Sequence, residues 1–331
     1  MLKSFKLDGF LTGMVIAIVL AALLPGPGAH GGFLHPELLT KLGIALVFFL
    51  NGALLSFKAL RDGILRWRLH LIIQSSTFIL FPLIGLAFLT VAGRWITPDL
   101  RIGLFYLCAL PSTISSSVAM TAAARGNVPV ALFNASLSSP LGIFITPLWM
   151  SLLLSTSGQH LDVIAVFVDL TQWLVLPLIA GQLARPLIGE WLQRHRKLAY
   201  MADRGTILLL VYTSFCDSFA NHIWSGSSPL TLIITLAATL GLFFLVLFLL
   251  WKLCDRGGIA PAYRAAVVFC GTKKGLAAGV PMAHLIFAGN PGLGLILLPI
   301  MVYHPLQLLI CTPLANRWAK EAQVSENAIS S

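Results

Sequence analysis

The stretch AVVFCGTKKGLAAGVPMAHLIF, residues 266–287, decides the fold. It has the length and apolarity of a membrane span, yet Gly271, Gly275, Gly279 and Pro281 interrupt it, and Lys273 and Lys274 stand near its middle. A lysine at mid-membrane costs roughly 2.5–3.5 kcal/mol on insertion scales. A second interrupted stretch, FYLCALPSTISSSVAMTAAARGN at 105–127, carries Pro111 followed by Ser112, Thr113, Ser115, Ser116 and Ser117. Proline removes one helical hydrogen bond and clashes with the preceding turn. Hydroxyls can re-satisfy the freed backbone groups, so an unwound stretch is tolerable where it lines a cavity.

The rest of the 331 residues has the same character: 57% are hydrophobic and 10% charged. Soluble domains carry about 25% charged residues, so this chain cannot build a water-facing surface. Hydropathy predicts ten spans, near 9–25, 38–57, 69–92, 102–124, 128–154, 163–184, 205–221, 229–251, 262–288 and 291–315. Spans of about 20 residues leave only short loops, with no room for a soluble catalytic domain. No DDxxD, HExxH or GxSxG motif supports an intramembrane enzyme. The five cysteines form no CxxC pair, and His284 and His304 lack partners at ligand spacing, so no metal site is expected.

The net charge of +10 is not a nucleic-acid footprint, because the basic residues occupy the gaps between apolar runs. With the N-terminus inside, seventeen of the 22 Lys and Arg residues fall on the cytoplasmic side and three outside, Lys273 and Lys274 being the other two. That bias sets the orientation and places both termini in the cytoplasm. Trp67, Trp95, Trp149, Trp224, Trp251 and Trp318 fall near span ends, as interfacial anchors do. Lys3 and Lys6 before a short apolar run ending at Pro25 resemble a signal peptide, but the internal symmetry requires this run as a span.

That symmetry is a weak repeat. A shift of 162 residues places Cys108 on Cys270, Val118 on Val280, Met120 on Met282, Pro129 on Pro291, and Ser56-Phe57 on Ser218-Phe219. Two five-span halves, 9–154 and 163–315, followed by a tail at 316–331, would run in opposite orientations. Broken helices at matching positions of inverted halves point to a transport site. The same shift sets Lys273 and Lys274 against Pro111 and Ser112. One reading makes the lysines a site for an anionic substrate, assisted by half-helix N-termini. The other has an ammonium bond unwound carbonyls and hold the broken helices together. Asp217 is a third intramembrane charge, near the outer end of its span. Asn127, Asn134, Ser136, Ser138 and Ser139 offer oxygen ligands or interhelical hydrogen bonds, and Gln307, three residues after His304, can share a polar face with it.

At CALPSTISSSVAMTAAARGNVPVA (108–131), WRLHLIIQSSTFILFP (67–82) and VVFCGTKKGLAAGVPMA (267–283) the chain resembles the bile acid:sodium symporter superfamily, and more closely its branch with solute carrier family 10 member 7 and bacterial relatives. The resemblance implies an all-α polytopic membrane protein. Its ten transmembrane helices would form two inverted five-helix repeats, with panel spans 1, 2, 6 and 7, core spans 3–5 and 8–10, and helices 4 and 9 broken and crossing. It also implies sodium bound beside the crossing, with a carboxylate from span 9. Here Val268 takes that acidic position, Lys273 an amide position and Val118 an asparagine position, while Ala131 and Ala135 replace two hydroxyls. Ser117 matches a hydroxyl ligand, so sodium has at most Ser117 and Ser136 as side-chain ligands, and no other cofactor is implied.

The expected protein is therefore a secondary transporter of the bacterial inner membrane that moves a small organic anion by alternating access. Its expected site is Lys273, Lys274, Ser112, Thr113, Ser115, Ser116, Ser117, Asn134 and Gln307, and its partners are the lipid bilayer and the substrate. The rival expectation is a non-transporting regulator of ion (calcium) homeostasis that acts through a protein partner.

Overall fold

The computed structural model describes residues 9–54, 66–156, 162–223 and 228–330, and among these it is helical with no strand. In chain order the helices are α1 (Gly9–Leu23), α2 (Pro36–Leu54), α3 (Trp67–Ser75), α4 (Phe81–Ala92), α5 (Pro98–Ala109), α6 (Ser115–Ala123) and α7 (Val128–Thr156). Then follow α8 (Val163–Leu170), α9 (Leu176–Arg194), α10 (Arg196–Ala220), α11 (Pro229–Arg256), α12 (Pro261–Thr272), α13 (Leu276–Ile286) and α14 (Leu293–Ser330). Each expected span coincides with one of these helices or with a consecutive pair. Lys3, Lys6, Ser56-Phe57, the basic loop between 58 and 65, and Trp224 lie outside the described residues.

Six helical stretches are long and apolar enough to cross a membrane by length and composition: Pro36–Leu54, Trp67–Val91, Val128–Ser155, Val163–Arg194, Pro229–Arg256 and Leu293–Val324. The protein is thus a multi-pass membrane protein. The fourth and ninth expected spans are each split, into α5 with α6 and α12 with α13. The two leading pieces match closely: α5 and α12 are both 12 residues long and both start on a proline, Pro98 and Pro261. A proline at the first helical position loses nothing, since that N–H has no helical partner anyway.

Two π-turns join α3 to α4 (Ser76–Leu80) and α8 to α9 (Thr171–Val175), each just ahead of a proline, Pro82 and Pro177. A proline cannot donate to the carbonyl four residues back. The wider turn takes up that defect and leaves carbonyls available to side chains.

The chain divides into two compact units. The first comprises residues 1–55, 164–228 and 280–297, the second 56–163, 229–279 and 298–331. In the first, α2 and α9 approach backbone to backbone. A Cβ at Gly52 would run into the Leu178 carbonyl, and one at Gly181 into the Phe49 carbonyl. Against α1, the Arg204 guanidinium lies over the rings of Tyr200 at 4.1 Å and Phe10 at 4.7 Å. In the second unit, α12 is buried from Ala265 to Thr272 among α3, α6, α7 and α11.

The tryptophans divide between two roles. Trp67, Trp95 and Trp251 are exposed, as interfacial rings should be. Trp318 is instead only 8% exposed. It packs 5.2 Å from the Phe269 ring under the Arg264 guanidinium, because α14 continues past the expected span end and turns this ring inward.

The glycine contact gives a direct test. Gly52→Leu or Gly181→Leu should lower the apparent Tm of the purified protein, since overpacking costs about 1–3 kcal/mol. Gly241→Ala on α11, which has open space around it, should leave Tm unchanged or raise it. Equal behaviour of all three would refute the backbone contact.

Candidate functional site

The second unit holds the two breaks, and they meet. Residues 110–114 and 273–275 are non-helical, and the Gly275 N–H donates to the Pro111 carbonyl at 2.8 Å. Both segments leave backbone groups without helical partners in a region closed to water, where each orphan costs several kcal/mol. The side chains around the breaks answer this need.

The end of α12 shows it most fully. Its last four carbonyls each receive a hydroxyl from a different element. Ser117 donates to the Phe269 carbonyl (3.2 Å), Ser112 to Cys270 (2.7 Å), Ser76 to Gly271 (3.0 Å) and Tyr303 to Thr272 (2.6 Å). The end of α5 is closed in the same way. Thr146 donates to the Ala109 carbonyl at 2.8 Å, and Lys274 reaches the two carbonyls on either side of it.

Lys274 is wholly buried. Its Nζ donates to the carbonyls of Cys108 (2.7 Å), Leu110 (2.7 Å) and Thr77 (2.8 Å). Three acceptors require three N–H bonds, so the group stands as an ammonium. Thr77 is available because the π-turn sends the Phe81 N–H to Ser76, while the next residue, Pro82, has no N–H. The neighbouring Phe78 carbonyl, freed by the same proline, is taken by Trp149 Nε1 at 2.9 Å. The Phe81 ring lies 4.2 Å from the ammonium. Gln307 completes the clamp: its Oε1 accepts from the Lys274 N–H (2.9 Å), and its Nε2 donates to the Lys274 carbonyl (3.1 Å) and contacts His304 Nδ1 (3.0 Å).

Lys273 is placed differently. It too is wholly buried, but among the described residues its Nζ has one hydrogen-bond partner, the Ser116 carbonyl at 2.8 Å. The Phe269 ring centroid is 5.7 Å away.

The other expected site residues separate likewise. Thr113 Oγ1 lies 2.6 Å from Ser116 Oγ and 3.1 Å from Ser117 Oγ, forming a hydroxyl cluster at the start of α6. The Ser112 N–H donates to Ser138 Oγ at 2.9 Å. Ser115 is exposed at the first position of α6. Asn134 is engaged by its own helix and by α3: its Nδ2 contacts His70 Nδ1 (2.8 Å) and donates to the Val130 carbonyl, while Gln74 donates to its Oδ1. Ser136 is buried on α7. Val268, Ala131 and Ala135 are all wholly buried, so the positions where the resemblance implied a carboxylate and hydroxyls offer no side-chain oxygen. Of the hydroxyls at the breaks, Ser112, Ser117, Ser76, Tyr303 and Thr146 donate to carbonyls, and without a carboxylate the set does not fit a carboxylate-based sodium shell.

Sequence reading passed over Ser76, Tyr106, Thr146 and Tyr303. Tyr106 donates to the Gly279 carbonyl at 2.6 Å, holding the helix after the second break. No local motif marks these residues. The signal was a lone polar group inside an apolar run, which has the same form as an ordinary buried hydroxyl.

Comparison with known proteins agrees with this architecture. Residues 8–320 match the SBF-like CPA transporter family (DUF4137). The chain is 40% identical to an uncharacterized protein of Pseudomonas aeruginosa, covering 98% of this chain and 97% of that one. It is 37% identical to the Escherichia coli protein YfeH, named as a symporter, over 97% and 96% of the two chains. It is also 33% identical to sodium/bile acid cotransporter 7 of Rattus norvegicus, over 98% and 96%. With a match that spans both breaks and relatives alike from end to end, the chain belongs to the SBF-like CPA transporter family.

Proposed function

We propose that this transporter-family protein is a secondary active transporter of the bile acid:sodium symporter type, moving a small organic anion by alternating access. It sits in the inner membrane with both termini cytoplasmic, and its halves 9–154 and 163–315 are inverted repeats. The charge bias of the loops supports the orientation. The matched 12-residue half-helices α5 and α12 support the repeat.

Lys273 carries the substrate reading. A buried ammonium with two unused N–H bonds is costly unless something accepts from it. A carboxylate, sulfonate or phosphate supplies both the acceptors and the opposite charge. The start of α6, where Thr113, Ser116 and Ser117 cluster, adds donors and the positive end of a helix dipole. Lys274 has no such spare capacity. It is the fixed cation of the crossing, and with it in place the protein does not depend on sodium at this position.

The two lysines should therefore part company on mutation. Lys273→Ala should insert and stay folded, but lose stabilisation by organic anions in a thermal-shift panel of carboxylates, sulfonates and phosphates. It should also lose uptake of the stabilising anion into proteoliposomes. Uptake at the wild-type rate would remove Lys273 from the site. Lys274→Ala should instead lower folded yield and Tm, at about 1–3 kcal/mol for each of the three carbonyls left unpaired.

The same preparation tests the coupling ion. A ligand bound only by the folded state raises apparent stability by mass action. Sodium should raise Tm no more than potassium does. A saturable rise with sodium alone would show that backbone carbonyls and Ser117 build a sodium site after all.

A further inference from the structure

The first unit contains a cavity of about 380 Å³ whose lining includes His30, Glu37, Lys41, Asp169 and Asp217. Every residue that lines it belongs to this unit. On the orientation proposed above, it lies at the outer ends of α2, α8 and α10. Its volume falls within the range of small-ligand pockets.

Three of these charged groups answer to one another. Asp217 Oδ1 accepts from the His30 N–H at 2.6 Å, and Glu37 Oε1 pairs with His30 Nδ1 at 2.7 Å. Together they fasten the connection between α1 and α2 to α2 and α10. Lys41 and Asp169 have no such duty. Among the described residues neither takes part in a hydrogen bond or an ion pair.

The two are nevertheless brought to one wall. Lys41 Nζ lies over the Trp173 ring, 5.5 Å from its centroid. Trp173 stands in the π-turn four residues after Asp169, so these two share one side of their helical stretch. Both charged side chains are partly buried. Asp169 sits in the apolar run VIAVFVDL, about 9 Å past the start of α8 at 1.5 Å per residue. An ionisable side chain inside a membrane helix is expensive, and such groups face a cavity and serve a function.

We propose that this cavity binds a small water-soluble zwitterion, with its ammonium on Asp169 and its acid group on Lys41. A simple anion would face Asp169, Asp217 and Glu37 at once. A simple cation would leave the Lys41 ammonium unanswered. A molecule that carries both charges satisfies both side chains, and this complementarity sets the specificity. The zwitterion site shares no residue with the Lys273 site.

A series of ω-amino acids from glycine to 6-aminohexanoate, added to the purified full-length protein in a thermal-shift assay, tests the site. A compound bound only by the folded state raises apparent Tm. The series is run on Lys273→Ala as well as the wild type, so that anion binding at the other site is not counted. At least one member should raise Tm saturably in both, and more than the alkanoate and the alkylamine of equal length. The favoured length gauges the distance between the two charges. Asp169→Asn and Lys41→Gln should each weaken this binding by about ten- to a hundredfold. No response to any member, or an equal response of Lys273→Ala to a singly charged analogue, would overturn the proposal without any cavity variant having to fold. A response that survives both cavity substitutions would overturn it as well. Stabilisation by phosphatidylethanolamine alone would assign the cavity to a lipid headgroup and overturn the solute. Failure here leaves the Lys273 site standing, and failure of anion transport leaves the zwitterion response standing.

Discussion

The carbonyls of Phe269, Cys270, Gly271 and Thr272 leave the end of α12 in a wholly buried setting with no helical partners, and the second unit is arranged around supplying them. Four donors are needed, and they come from α6, the 110–114 break, the first π-turn and α14. Each of those elements is held where it is because its hydroxyl must lie within 3.2 Å of a particular oxygen. An unpaired carbonyl here would cost about as much as a sizeable share of a domain's net stability. The tight set of hydroxyl-to-carbonyl bonds therefore fixes the crossing more firmly than apolar packing alone would, since packing tolerates volume-conserving change.

The two adjacent lysines show how chemically identical neighbours acquire different physics. Extended backbone at Lys273, with φ −88° and ψ 147°, sends successive side chains in opposite directions. One ammonium meets three carbonyls released by a proline, a π-turn and a helix end. The other meets one carbonyl, that of Ser116. Saturation makes the first a structural ion, and its absence leaves the second with chemistry to offer.

Much of this was legible in the sequence. Pro111 with its serine run, and Gly271 and Gly275 around the lysines, marked both breaks, because prolines and glycines act through the backbone and their effect is local. The shift of 162 residues brought the breaks opposite each other for the same reason. The division of labour between Lys273 and Lys274 was not legible, since it depends on which carbonyls two distant segments release. Nor did the sequence show that Asn134 is engaged by His70 and Gln74. A buried amide has the same composition whether it binds a ligand or a neighbouring helix. Trp318 misled in the opposite sense, because a span boundary drawn from hydropathy cannot show that the helix runs on and turns its ring inward.

The π-turn at Ser76–Leu80 has a bearing on how the sequence can change by insertion and deletion. It is an α-helix holding one surplus residue. Removing a residue there would restore the ordinary 3.6-residue winding and swing everything N-terminal to it by about 100°. His70 and Gln74 would then point away from Asn134, and a deletion at 78, 79 or 80 would also swing the Thr77 carbonyl away from the Lys274 ammonium. A single-codon deletion in this short stretch would thus disconnect two polar networks at once, while the same deletion in the 24–35 loop would meet no such register.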